Sequence, residues 1–186
     1  MFATINLKKT NWAQIKEGYK TYSWIMANRN VASAKFNDQY AQYYRINQGI
    51  RSREKRDAFF NLLHCCIEKH IDDYAFVINK LLSITGRNEM SFASKIVATV
   101  NPHLPVLDAI IMGHSKIHRP QHKNVEDRID HSIIIHQNIQ RQFNDFLATT
   151  RGKNLLHTFD DRITQQGLLK ITAIKKLDFI FWQTRS

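Results

Sequence analysis

Residues 91–111, SFASKIVATVNPHLPVLDAII, read as a short helix, a proline-bracketed turn and the start of another helix. Two of the chain's three prolines, Pro102 and Pro105, lie in this stretch. Each fixes its own φ and steers the residue before it away from the helical basin, so the turn is a stiff corner. Lys95 stands on the helix before the corner and Asp108 just beyond it. The spacing admits two readings. A partly desolvated lysine sheds its proton and becomes a nucleophile, while a nearby carboxylate stabilises developing positive charge. Alternatively, Asp108 caps the following helix by accepting backbone N–H bonds, and Lys95 is its ion-pair partner at a packed corner.

Outward from the corner, no stretch alternates apolar and polar residues long enough to make a sheet, and glycine (6) and proline (3) are scarce. The chain therefore reads as all-α. Thr10 or Asn11 caps a first helix to about Asn28, with Trp12, Ile15, Tyr19 and Tyr22 on one face. Asn37–Asp38 opens a second helix that Gly49 breaks, and Ser52 caps a long third. Asp72–Asp73 restarts the chain as a helix that stops at Gly86. Ser91 caps the helix carrying Lys95, which Asn101–Pro102 ends. A short helix over about Val106–Met112 stops at Gly113. Asn124 opens the longest helix, ending at Arg151–Gly152. One further helix covers NLLHTFDDRIT, and Thr172 caps the last. No repeat or long linker divides the 186 residues, so one compact domain is expected over 1–186, with room for two lobes and a groove beside Ser91–Asp108.

Composition narrows the partners. Lys and Arg number 27 against 16 Asp and Glu, a formal charge of +11. That excess suits a polyanion, nucleic acid before an anionic membrane. The only cysteines, Cys65 and Cys66, are adjacent in an apolar helical run, which points to core packing in a reducing compartment. The first ten residues, MFATINLKKT, hold no signal-peptide pattern. No apolar run approaches the roughly 20 residues of a membrane helix. A cytoplasmic protein is the expectation.

Two basic segments stand out. GHSKIHRPQHK, residues 113–123, carries Lys116, Arg119 and Lys123 with His114, His118 and His122. The histidines are four apart, but Pro120 interrupts the helical face and no carboxylate or thiol is interleaved, so no metal is expected. A phosphate-contacting loop or an ordinary solvated loop are the two readings. RSREKR, residues 51–56, places four cations where a helix dipole disfavours them: a solvated first turn, or a seat for an external anion. Asp127, Asp130, Asp160 and Asp161 would have to converge to make a two-metal site. The aromatic series from Trp12 to Tyr44 is helically spaced, as core aromatics are, and base stacking is the alternative. No Walker loop, dinucleotide fingerprint, nucleophile elbow or zinc pattern occurs, and no cofactor is expected.

The order of a helix, a glycine-containing hairpin (ITGRNEM), a second helix (SFASKIVATV) and a proline-rich turn ending in aspartate (NPHLPVLD) resembles the helix-hairpin-helix DNA glycosylase superfamily, which includes the 8-oxoguanine glycosylases. It is also similar to small, uncharacterised bacterial helical proteins with an F-x-S-K helix before an N-P…P-I-x-D corner, where this chain has Val106 in place of the isoleucine, and the C-terminal KKLDFIFWQTR fits that group. The resemblance implies a hairpin that grips DNA and a base flipped out for hydrolysis of its N-glycosidic bond. Asp108 and Lys95 are then the candidate catalytic residues. Met90 stands where the superfamily's lysine stands, so the resemblance implies a monofunctional enzyme, with water as nucleophile and Asp108 stabilising the sugar cation. Arg87, Lys116, Arg119 and Lys123 are the candidate nucleic-acid contacts, DNA being the expected partner. The alternative is a non-catalytic helical module that binds nucleic acid or protein. The sequence leaves open the oligomeric state and whether the protein is an enzyme.

Overall fold

Asn11, Ser33, Ser52, Asp73, Asn124 and Thr149 each turn a side-chain oxygen back onto an amide of the helical turn that follows. Each cap satisfies an amide that the helix leaves without an acceptor. A computed structural model describes residues 7, 10–163 and 168–183. Among them are ten helices and no strand: α1 (Trp12–Asn28), α2 (Ala34–Tyr44), α3 (Ile46–Gly49), α4 (Arg53–Glu68), α5 (Tyr74–Thr85), α6 (Met90–Val100), α7 (Ala109–His114), α8 (Val125–Ala148), α9 (Thr150–Arg162) and α10 (Ala173–Gln183). No described helix is long and apolar enough to cross a membrane.

Several boundaries differ from the sequence reading. The second helix starts at Ala34, because Ser33 rather than Asn37 is its cap. It ends not at Gly49 but at Arg45, whose left-handed backbone (φ 56°) starts the single turn of α3. The Lys95 helix starts at Met90, one residue before Ser91. Val106–Asp108 are outside the helix, and Gly113 is inside it. The longest helix stops at Ala148, where Thr149 caps a new one. Gly152 lies inside that new helix, so close to the end of α8 that a Cβ there would be 2.1 Å from the Phe146 carbonyl oxygen.

One continuous apolar cluster joins the helices into a single compact domain rather than two lobes. Helix α10 is its keystone, packed against α1, α7, α8 and α9. The aromatic series serves this core: Tyr19, Tyr22, Tyr40 and Tyr44 are buried, with Trp12, Trp24 and Tyr43 packed at its edge. Cys66 is buried and Cys65 partly so, both as free thiols. Residues 1–6 and 8–9 of the N-terminal segment, Thr164 of NLLHTFDDRIT and the final residues of KKLDFIFWQTR lie outside the described residues.

The proline corner is fastened from four sides. The buried Ser94 hydroxyl accepts from Leu107 N (2.8 Å), and Thr172 Oγ1 donates to Pro102 O (2.6 Å). Asn101 Oδ1 accepts from His103 N, while Asn101 Nδ2 donates to Asp72 (2.7 Å). His136, stacked on Tyr74 with centroids 4.1 Å apart, donates to the Pro105 carbonyl.

Candidate nucleic-acid interface and the Lys95–Asp108 corner

Helices α5 and α6 pack against each other as a helical hairpin, and the ITGRNEM stretch is the connection between them. Gly86 closes α5 in the left-handed region (φ 72°), where its amide donates to Leu82 O (2.8 Å). Glycine takes this conformation without a Cβ penalty. Thr85 Oγ1 donates back to Leu81 O and accepts from Arg87 N, which fixes the loop that follows. The loop is then tied to neighbours on both sides. Arg87 donates to Gly49 O (2.8 Å) and pairs with Glu89 (2.6 Å), and Lys55 Nζ reaches Thr85 O (3.1 Å). Asn88 Nδ2 donates to Arg128 O and Ser132 Oγ on α8.

Between the hairpin, the start of α4 and the basic loop lies an open groove of about 810 Å³. Its charged lining is Arg51, Lys55, Arg87 and Arg119, with one carboxylate, Glu89. Ser52 at the start of α4, and Met90 and Ser91 at the start of α6, also line it. Glu89 makes no side-chain cap bond to α6; its carbonyl instead accepts from Phe92 N and Ala93 N, both at 2.9 Å. Phe92 closes the floor, its ring so near Gly49 that a Cβ there would lie 2.3 Å from it.

Of the four sequence-derived contacts, Arg87 and Arg119 line this groove; Lys116 and Lys123 are exposed on the loop and do not. Arg51 and Lys55, read as either a solvated turn or an anion seat, are in the groove. Arg56 instead braces the α4 start by donating to Ile50 O (3.1 Å) and Arg51 O (2.6 Å). The three loop histidines do not converge. His114 is buried and stacked on Phe181, His118 is exposed, and His122 meets His131. The acidic set does not converge either: Asp160 pairs with Lys176 and Asp161 with His157. Among the described residues no group of three or more His, Cys, Asp and Glu is placed to hold a metal.

Asp108 is outside the groove lining and caps α7. Its Oδ1 accepts from Ile110 N and Ile111 N, both at 2.9 Å, and its Oδ2 accepts from the Trp182 indole N–H (2.5 Å). Arg45 lies over the Trp182 ring, 5.4 Å from its centroid. Lys95 makes no hydrogen bond with Asp108. Its Nζ donates to Tyr44 O (3.1 Å) and sits over the Phe92 ring at 4.9 Å. Burial pushes the Lys95 ammonium down to about 8, against the opposing pull of Asp108 and Asp178. The corner thus carries the expected helix cap at Asp108 but not the expected Lys95–Asp108 ion pair, because Lys95 is turned to the Tyr44 carbonyl instead.

Behind Lys95 lies an ion pair that sequence reasoning missed. Lys175 and Asp178 are buried and 2.5 Å apart, with the Lys175 Nζ facing the rings of Tyr22 (4.7 Å) and Phe179 (5.1 Å). Burial opposes the ammonium, but Asp178 and the tyrosines outweigh it and hold Lys175 well above its ordinary range. Burial raises the Asp178 carboxyl, and its Oδ1 has no partner. Their i,i+3 spacing was the available signal, hidden by the usual exposure of such pairs. The stretches carrying the resemblance, α6, the corner and α10, therefore meet around one polar cluster. The chain matches no protein-family model, no curated protein and no solved structure.

Proposed function

We propose that the protein binds nucleic acid, with DNA as the expected form, by seating a phosphate backbone in the groove at the α5–α6 hairpin. One observation carries this reading: Arg51, Lys55, Arg87 and Arg119 converge from three parts of the chain on one concavity with a single carboxylate. Phosphate contacts of this kind position a nucleic acid without reading its bases. No base-stacking aromatic is exposed in the groove lining, where Phe92 is buried. The expected binding is therefore sequence-independent and steeply salt-dependent.

Fluorescence anisotropy with a labelled duplex and the matching single strand, across a salt series, tests this. Arg87→Gln and Arg119→Gln should each weaken binding and flatten the log–log salt slope by about 1. Lys153→Gln, outside the groove lining, should change neither. Salt-independent binding, or groove variants that bind as the parent does, would refute the reading.

A second reading, N-glycosylase chemistry on a damaged base, is favoured by the closeness of a buried lysine, Lys95, to the Asp108 carboxylate; burial lowers the lysine's pKa although Asp108 opposes the shift. Here the bound backbone would present a flipped base to the corner, with Asp108 stabilising the sugar cation and water attacking. Incubation with a panel of damaged-base duplexes, with and without borohydride, separates the possibilities. Base release without a covalent adduct supports the monofunctional form. An adduct lost in Lys95→Gln replaces it with lysine attack. No release from any duplex leaves the binding module.

A further inference from the structure

His122 ends the basic loop and His131 lies in the second turn of α8, yet His122 Nε2 and His131 Nδ1 are 3.1 Å apart. The rings meet edge to face, with centroids 5.2 Å apart and planes at 60°. This approach is held by backbone, not only by side chains. Arg128 Nη1, one turn into α8, donates to His122 O (2.9 Å) and Lys123 O (3.1 Å), which fixes the loop at the point where His122 leaves it. His122 is exposed and His131 half-buried, so solvent reaches the pair.

We propose that His122 and His131 form a binding site for a late first-row divalent cation: zinc, nickel or copper. Neutral imidazole is the ligand these ions favour, through either ring nitrogen. Two nitrogens 3.1 Å apart, each about 2.05 Å from a shared ion, subtend about 98° at it, between the square and tetrahedral angles. To reach that common point each ring turns its lone pair about 40° off the nitrogen–nitrogen line, and the proton now held between the two nitrogens moves to a far ring nitrogen. Water completes the coordination, since no third protein ligand is placed among the described residues. Asp127 and Asp130 flank His131 along α8 and favour a cation, whereas Lys123 and Arg128 oppose it. The balance sets a modest affinity and excludes the harder ions, which want carboxylate oxygens. Occupancy would pin the loop bearing Lys116, Arg119 and Lys123 to α8. The proposal stands whether or not the groove binds nucleic acid.

The test is calorimetric titration of the full chain, freed of any affinity tag, with Zn²⁺ and Ni²⁺, alongside copper EPR to count nitrogen ligands. The expected result is one site with two imidazole nitrogens, whose affinity falls about tenfold or more in both His122→Gln and His131→Gln. His118→Gln, in the same loop, and His157→Gln, at the other surface histidine with a neighbouring acceptor, should retain it. Circular dichroism melts confirm that each variant is folded. Unchanged affinity in His131→Gln, an equal loss in either control, or no saturable binding by the parent overturns the proposal.

Discussion

Acid should unfold this protein early, and His136 is the group through which that is best measured. The ring is 3% exposed and stacked on Tyr74, with a backbone hydrogen bond to Pro105. Its Nε2 is buried without a partner. A proton added there would place a cation against apolar surroundings, so burial pushes the ring's pKa from 6.5 down to about 4. Above pH 6.5 the ring is neutral in both folded and unfolded chains and costs nothing. As pH falls from 6.5 towards 4 the unfolded chain takes up a proton that the folded one refuses, so stability is lost across that window. Between pH 7.5 and 4.5 this one ring should remove about 2–3 kcal/mol. Burial also lowers His64 and His114, which contribute in the same window, so the measurement must be differential. Urea unfolding of the parent and of His136→Phe, at pH steps from 7.5 to 4.5, isolates the term. Phenylalanine keeps a ring against Tyr74 and removes the titration. The variant's stability should fall less with acid, by that same amount. Parallel pH curves would refute the account of His136 as a ring that the fold keeps neutral.

Three further outcomes follow from the geometry. Asp108→Asn would retain the cap but turn an amide N–H₂ towards the Trp182 N–H, a donor-to-donor clash costing about 1–3 kcal/mol. Trp182→Phe in that background should recover part of the loss, as a double-mutant cycle would read. Lys175→Met should destabilise by about 3–5 kcal/mol in urea unfolding, because it strands the buried Asp178 carboxylate, and Lys175→Met with Asp178→Leu should be milder. Gly152→Ala should lower Tm by roughly 4–8 °C, since its Cβ would strike the Phe146 carbonyl and the overlap outweighs the helix-propensity gain of about 1 kcal/mol.

What was legible in the sequence was what local chemistry decides. The caps Asn11, Ser52, Asp73 and Asn124 and the left-handed Gly86 are short-range events, and each was readable from residue type and a few neighbours. Asp108 was readable as a cap for the same reason. The second helix was placed late because Asn37–Asp38 is as good a cap by type as Ser33, and only packing of Phe36 into the core decides between them. The groove was half legible. Arg87 and Arg119 were picked out, but whether Arg51 and Lys55 face solvent or Arg119 depends on how α4 meets the hairpin, a contact between segments far apart in sequence. The Lys175–Asp178 pair and the Trp182–Asp108 bond were invisible for that reason: burial of a charge is a property of the assembled core.

The central position of α10 also has a bearing on how the chain is made. Its residues Phe179 and Phe181 complete the aromatic contacts of Tyr19, Tyr22 and Phe143, which belong to helices synthesised earlier. Helices α4, α5 and α6 can begin to pack as soon as they leave the ribosome, since their mutual contacts are close in sequence. Helices α1, α7, α8 and α9 leave the parts of their inner faces that meet α10 uncovered until residues 173–183 have been translated. A nascent chain stalled before that point therefore carries a formed hairpin groove beside open apolar surface, the condition that recruits chaperones and proteases.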